Sequence, residues 1–349
     1  MKEELNKLKN IIDISRIHFY KPIQIAEILY MYRSGKLSSL ADREKIRKES
    51  KKWRDKITIG FINSKCSSSA KFQDDLFSNT AIPYEVLDVL AEFNNQHNGI
   101  LEAYVYDRFI KKHDQLKNAL QVSRNGEFNV ETFVDSFTEE SGLKRSTDKI
   151  YEIIIYALFE SLVSTLKVEH KVSLKNTNKE IISEFGSFAD LVLGLNESND
   201  FQSIDSAHFF RAGITNAADR GIDLYANSGH VVQVKHVDLD SKILSSIGNS
   251  VSSNKIIIIC KSFQKNTIHN VLSQLGFGDR IQSIITFEEV YEWYRIAFTG
   301  RYSDTLTPMI LTMIQEQILL EFPILDNDDF NSFYDKRGYS NLDLENLDL

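Results

Sequence analysis

The sequence predicts an α/β protein, with a mixed sheet flanked by helices and an all-helical region in front of it. Three observations carry that prediction. Residues 255–261 (KIIIICK) are a continuous β-branched run, the pattern of a strand covered on both faces. Residues 221–235 (GIDLYANSGHVVQVK) set two apolar runs around a turn-rich Asn-Ser-Gly-His break, the pattern of a β-hairpin. The first 140 residues, by contrast, read as helices throughout.

In chain order, helices are expected at 2–17, 22–33, 42–62, 84–94 and 101–120, with Pro22 and Pro83 at helix starts and Gly35 as a stop. Residues 148–166 (DKIYEIIIYALFESLVSTL) form a strong helix, capped by Thr147 or Asp148 and apolar on nearly all sides. Such a helix is buried, and Glu152 and Glu160 are its two exceptions. A strand and then an insertion at 176–212 follow, with one helix in the insertion at 180–195. After the hairpin and the 255–261 strand come a helix at 266–275, a strand at 281–287 and a helix at 288–298. Strand–helix–strand alternation of this kind favours a sheet with helices on its faces. The division expected is a helical, basic, DNA-contacting region over 1–140, a core over 141–300, and a helix with an acidic tail over 301–349. The tail has few large core residues and reads as weakly packed.

The hairpin is where chemistry is expected. Asp223 lies on its first strand and Gln233-Val234-Lys235 on its second. Side chains alternate along a strand, so Gln233 and Lys235 share a face and Val234 takes the other. Metal-dependent phosphodiester hydrolysis needs a carboxylate to hold the ion and a lysine near the attacking water, both fixed on rigid strands. The hairpin also fits an ordinary exposed turn with a solvated Asp and Lys. Whether Asp223 shares the face of Lys235 depends on a register the sequence leaves open.

Composition narrows the class. There is no apolar run of 18 residues without charge and no basic-then-apolar leader, so neither a membrane span nor secretion is expected. Two cysteines, Cys66 and Cys260, make no disulfide framework or zinc site, and a reducing cytoplasm is the expected compartment. No GxxxxGK[ST] loop occurs, so nucleotide-driven translocation is not supported. The net charge of −8 is unevenly spread: residues 1–72 hold 17 Lys/Arg against 8 Asp/Glu. Within them, residues 42–56 (DREKIRKESKKWRDK) place Arg43, Arg47 and Lys51 on one helical face and Lys48 and Lys52 on the next. Such a face can track phosphates or remain a solvated helix laced with ion pairs such as Glu44–Lys48. The Ser-rich stretch 63–70 that follows could also meet phosphates.

The element order, with Asp223 and Gln233-x-Lys235 on a hairpin, resembles the PD-(D/E)xK nuclease fold. The stretch 218–223 followed by Gln233-Val234-Lys235 looks most like its Mrr branch, which commonly has Gln at the first acidic position. A longer resemblance runs through residues 15–30, 49–55, 149–164, 215–227 and 233–236, and is to the HaeII group of Type II restriction endonucleases. It implies Mg²⁺-dependent, sequence-specific cleavage of double-stranded DNA at RGCGCY, by a homodimer matching a palindromic site. A cognate DNA methyltransferase would act on the same site without direct contact being implied. Asp223 would hold the metal with Gln233, and Lys235 would orient the water. A second carboxylate is expected from the buried helix, Glu160 first because it falls where the Mrr-like pattern has its helix acid, and Glu152 second. Asp219 reads as turn support, and His236 as a surface residue. Arg211 and Arg220, with the basic helix, are the candidates for base or phosphate contacts. A structure-selective nuclease, or a non-catalytic DNA-binding protein that keeps the fold, would use the same elements.

Overall fold

The computed structural model describes residues 2–66, 76, 82–121, 128–139, 143–176, 178–212, 222–235, 253, 255–261, 265–274, 276, 278–322, 325 and 327–344. The chain folds as two units. One comprises residues 1–151, 213–218 and 315–349, and the other 152–212 and 219–314.

The first unit is helical. Its helices are α1 (Lys2–Asp13), α2 (Tyr20–Arg33), α3 (Arg43–Ile62), α4 (Tyr84–Gln96), α5 (Ile100–Gln121) and α6 (Val130–Thr138). The expected helices are all present, and α6 is one that the sequence reading passed over. α2 is the centre of the bundle, packed by α3, α4 and α5. Its residues from Pro22 to Leu29 are all buried, including the polar Gln24 and Glu27. A helix buried on every side cannot be amphipathic, so its polar groups must find partners within the core.

Those partners come from far along the chain. Arg337 gives two hydrogen bonds to Glu27, at 2.5 and 3.1 Å, and Tyr106 of α5 gives a third at 2.5 Å. Glu102, also on α5, accepts two bonds from Arg33, one from Asn94 and one from Tyr339. The Arg337 guanidinium lies 3.6 Å over the ring of Tyr30 and 4.3 Å over that of Phe333. Two buried carboxylates are thus each satisfied by several donors, which is the condition under which buried charge is tolerated.

The C-terminal segment corrects the sequence expectation of a weakly packed tail. Residues Asn327–Lys336 form a helix that packs Phe330 against Phe61, Tyr106 and Phe109. Leu325, Phe330 and Tyr339 are all buried in the same core as α1–α5. The acidic residues that suggested solvation lie between these aromatics.

The second unit holds the sheet. It contains most of α7 (Thr147–Thr165), β1 (Glu169–Ser173), α8 (Lys179–Leu193), β2 (Gln202–Ser206), β3 (Phe209–Arg211), β4 (Leu224–Ala226), β5 (Val231–Val234) and β6 (Ile256–Cys260). α9 (Lys265–Gln274), β7 (Ile281–Thr286) and α10 (Phe287–Thr299) follow, then α11 (Ser303–Glu321), which begins here and ends in the first unit; we number the C-terminal helix Asn327–Lys336 α12. The sheet order is β3-β4-β5-β6-β7, antiparallel across the first three strands and parallel across the last three. This is the mixed α/β architecture expected. β6 is buried at all five positions, as its β-branched run requires. α9 covers one face through Ile268, which joins Val231, Ile256, Ile258 and Ile284. α7 and α10 are bonded together where Tyr294 donates to the Ile154 carbonyl at 2.7 Å. β1 and β2 form a separate two-stranded antiparallel pair; β1 stands where the element order has a strand between the buried helix and the insertion, and β2, inside the insertion, was not foreseen.

Because Glu27 has so few alternatives, Arg337→Ala should be costly. Removing one partner of a buried ion pair leaves an uncompensated charge and typically costs about 3–5 kcal/mol. Urea unfolding followed by tryptophan fluorescence, which reports on Trp53 packed against this core, should show its transition move to lower denaturant by that amount. An unchanged midpoint would mean that the C-terminal segment is dispensable to the bundle.

Candidate active site

β4 and β5 are joined by the turn at residues 227–230, in which Gly229 takes φ +87° and Ala226 and His230 close the loop with a 2.8 Å backbone bond. Pairing fixes the register as Leu224 opposite Val232 and Tyr225 opposite Val231. Continued by one residue, this sets Asp223 opposite Gln233. The ladder is irregular there. The Asp223 amide reaches the Val232 carbonyl at 3.2 Å, and the Val234 amide turns to the Asp223 side chain, donating to Oδ2 at 2.7 Å. Lys235 Nζ lies 3.5 Å from that same oxygen. The carboxylate and the ammonium that the sequence left in open register therefore meet.

Gln233 is 1 % exposed and pairs with Ile258 of β6. All four residues of β5 are buried, so the reading as an exposed hairpin with solvated polar groups does not hold. Lys235 is tied into the sheet as well, its amide donating to the Ile259 carbonyl at 2.9 Å. The site thus sits where β5 and β6 reach their C-terminal ends. Cys260, at the end of β6, has its thiol pushed up to about 11 by burial. Beside it, Thr286 and Glu289 form a capping box at the start of α10, and Lys265 pairs with Glu289 at 3.0 Å. The Glu289 carboxyl lies below its ordinary range, first because it accepts the Thr286 amide.

Glu160 lies elsewhere. Its carboxylate accepts the His208 ring nitrogen at 2.7 Å and the Phe209 amide at 2.6 Å. Phe209 pairs with Ala226, while the Asp223 carbonyl is met at the other end of β3 by the Ala212 amide. Three residues of strand separate the two levels, about 10 Å. Phe159, next to Glu160, packs on Phe209 at 5.4 Å between ring centroids. Glu152 is buried eight residues earlier on α7, about 12 Å along its axis. The structure brings Asp223 and Lys235 together, sets Gln233 in β5 between Val232 and Val234, and holds Glu160 at the other end of β3. Among the described residues no group of three or more His, Cys, Asp or Glu is arranged to hold a metal ion. Asp219, Arg220 and His236 lie outside the described residues.

Two residues that the sequence reading passed over organise the site's edge. His208 fixes Glu160, and Asn227 in the hairpin turn bonds to the His208 amide and the Ser206 carbonyl, at 2.9 and 2.8 Å. An Asn in a turn is too common a signal to have marked this role. Arg211, half-buried, pairs with Leu224 at the Asp223 end of β3.

The basic helix α3 divides in a similar way. Arg43 makes a bidentate pair with Asp88 at 2.8 and 2.6 Å and stacks on Tyr84. Arg54 is buried against Gln24 and Asp55. Arg47, Lys48 and Lys52 are exposed and Lys51 is half-buried; Lys52 pairs with Glu49 at 2.9 Å.

If Glu160 serves to seat β3, Glu160→Gln should lower thermal stability, because it weakens a charge-assisted bond to a part-buried amide. Phosphodiester cleavage should stay within about tenfold of wild type, a cost near 1.4 kcal/mol, with an unchanged metal titration. A drop as large as that of Asp223→Ala would put Glu160 at the reacting centre.

Comparisons with known proteins identify the family. The profile of the HaeII restriction endonuclease family matches residues 3–339. The Type II restriction enzyme HaeII of Haemophilus aegyptius is 42 % identical over 99 % of this chain and 98 % of its own length. The Type II restriction enzyme NgoBI of Neisseria gonorrhoeae is 39 % identical over 95 % of each. No solved structure matches the chain at a significant level. With a match over nearly its whole length, the chain belongs to the HaeII restriction endonuclease family.

Proposed function

We propose that this chain is a Type II restriction endonuclease that cleaves double-stranded DNA with Mg²⁺ at the Asp223–Gln233–Lys235 hairpin. The observation that carries the reading is the meeting of Asp223 Oδ2 with Lys235 Nζ at 3.5 Å on two paired strands. Restriction endonucleases generally require a divalent metal. The donors at this hairpin are oxygens, a carboxylate and a primary amide, which suit a hard cation that keeps several waters. With one carboxylate and one neutral ligand, the rest of the coordination would fall to water and to the scissile phosphate. Bound there, the ion would polarise the phosphate and lower the pKa of a coordinated water.

The chain's own residues do the rest. Val234 donates its amide to Asp223 and holds the carboxylate in one rotamer, so its position is set before substrate arrives. Lys235 stands on the same carboxylate and presents its ammonium to the charge that builds on the phosphate oxygens. Burial of Gln233 keeps its amide from swinging to solvent. Arg211 lies at the same end of the sheet and would meet a phosphate there. The RGCGCY site is a proposal from family resemblance, and a palindrome of that kind fits a homodimer with two-fold symmetry.

Asp223→Ala and Lys235→Ala should each abolish plasmid cleavage in Mg²⁺ while leaving the fold and DNA binding in place. Each removes an interaction that is strongest in the transition state, so the rate falls and affinity for uncut DNA persists. Near-wild-type cutting by either variant would remove the hairpin from the mechanism. Discrete fragments from plasmid DNA separate this reading from a structure-selective nuclease, which would nick without sequence preference.

DNA binding should fall steeply with salt, since each neutralised phosphate releases counterions. Replacing Arg47, Lys48 and Lys52 with Ala should lower the log–log slope by about 0.9 for each phosphate that is no longer neutralised. Arg43→Ala should instead destabilise the helical unit, because its guanidinium is held by Asp88. A slope unmoved by the triple variant would transfer phosphate tracking to another surface.

A further inference from the structure

α8 is built inside out. Its Ala189 is the one buried residue of the helix among those described, and the neighbouring positions on that side, Ile182 and Gly186, are half-buried. An adjoining flank carries large apolar groups: Phe185 is 57 % exposed, Phe188 54 %, Leu191 84 % and Val192 64 %, with Ile181 also open to solvent. A helix that buries a single methyl and displays two phenylalanines gains almost nothing from its own unit. At roughly 150–250 Å² per large side chain, the open fractions of these five residues amount to on the order of 600 Å². That reaches the top of the range of about 300–600 Å² seen for the largest patch on a monomer.

We propose that this face of α8 is the dimer interface and that its occupant is α8 of a second copy, packed antiparallel across a two-fold axis. The inference rests on the family reading only for the expectation that a palindromic cutter is two-fold symmetric. Three features of the helix argue for self-pairing. First, Ile181, Phe185, Phe188 and Val192 are spaced four, three and four apart, the spacing of a heptad seam. That spacing reads the same in both directions. An antiparallel copy centred between Gly186 and Ser187 therefore sets Phe185 against Phe188 and Ile181 against Val192, twice over. Second, no carboxylate opposes another in that register: Glu180, Glu184 and Asp190 meet Leu193, Ala189 and Ser183. Third, the area approaches the roughly 800 Å² per partner of a standard stable interface. DNA is a poor occupant, because three acids against one lysine on α8 would repel phosphate. An isologous contact of this kind closes on itself and stops at two chains.

Sedimentation velocity of the full chain without DNA tests the proposal. At micromolar concentration the wild-type protein should run at twice the chain mass of 40.1 kDa. Phe185→Glu/Phe188→Glu should run as a single chain with an unchanged far-ultraviolet circular dichroism spectrum, its dimer dissociation constant raised at least a hundredfold. Should that pair disturb the helix, Leu191→Ser/Val192→Ser gives the same readout with a milder change. Asp223→Ala should remain dimeric, which keeps the result independent of whether the hairpin is the catalytic centre. A monomeric wild-type chain would overturn the proposal, and so would a folded variant pair that still sediments as a dimer.

Discussion

The bond from the Val234 amide to Asp223 Oδ2 is the interaction on which the site depends. It replaces a rung of the β4–β5 ladder with a side chain, so the Asp223 carboxylate becomes part of the sheet's own hydrogen bonding. The residues on either side of Val234 inherit their positions from that substitution. Gln233 is held under the sheet beside Ile258, and Lys235 leaves the strand close enough to share the carboxylate oxygen. A catalytic group fixed by backbone has little freedom to lose when substrate binds, which is what preorganisation means in energetic terms.

Much of this was legible in the sequence, and for identifiable reasons. The run KIIIICK has one reading as a covered strand, and Asn-Ser-Gly-His between apolar runs has one reading as a turn. Those two features place Asp223 and Lys235 on neighbouring strands from the order of residues alone. β3 was not legible, because three residues carry no period, and β2 was missed because its mix of polar and apolar residues alternates weakly. Glu160 shows the limit of position-based inference. A carboxylate in a buried helix must have partners, but the sequence does not say which, and here they are His208 and the Phe209 amide rather than the hairpin. The C-terminal segment was misread for a related reason. Its acids outnumber its aromatics, yet Phe330 and Tyr339 are what fill the core, and Arg337 is what Glu27 needs.

The insertion between α7 and β3 is joined to the site by polar contacts at its base. The Ala207 amide closes on the Val168 carbonyl, and Asn227 binds both sides of His208. A load applied to the insertion is therefore delivered to the turn of the β4–β5 hairpin.

The pairing of Glu27 with Arg337 spans 310 residues of sequence. At about 5–20 residues per second of synthesis, Glu27 leaves the ribosome on the order of 15–60 s before its partner does. Glu102 waits in the same way for Tyr339. The helical bundle made by the first third of the chain is thus completed last, after the whole sheet unit has been translated. The β4–β5 hairpin is therefore translated before the helical unit can be closed, and the order of synthesis itself withholds a finished bundle until translation is nearly done.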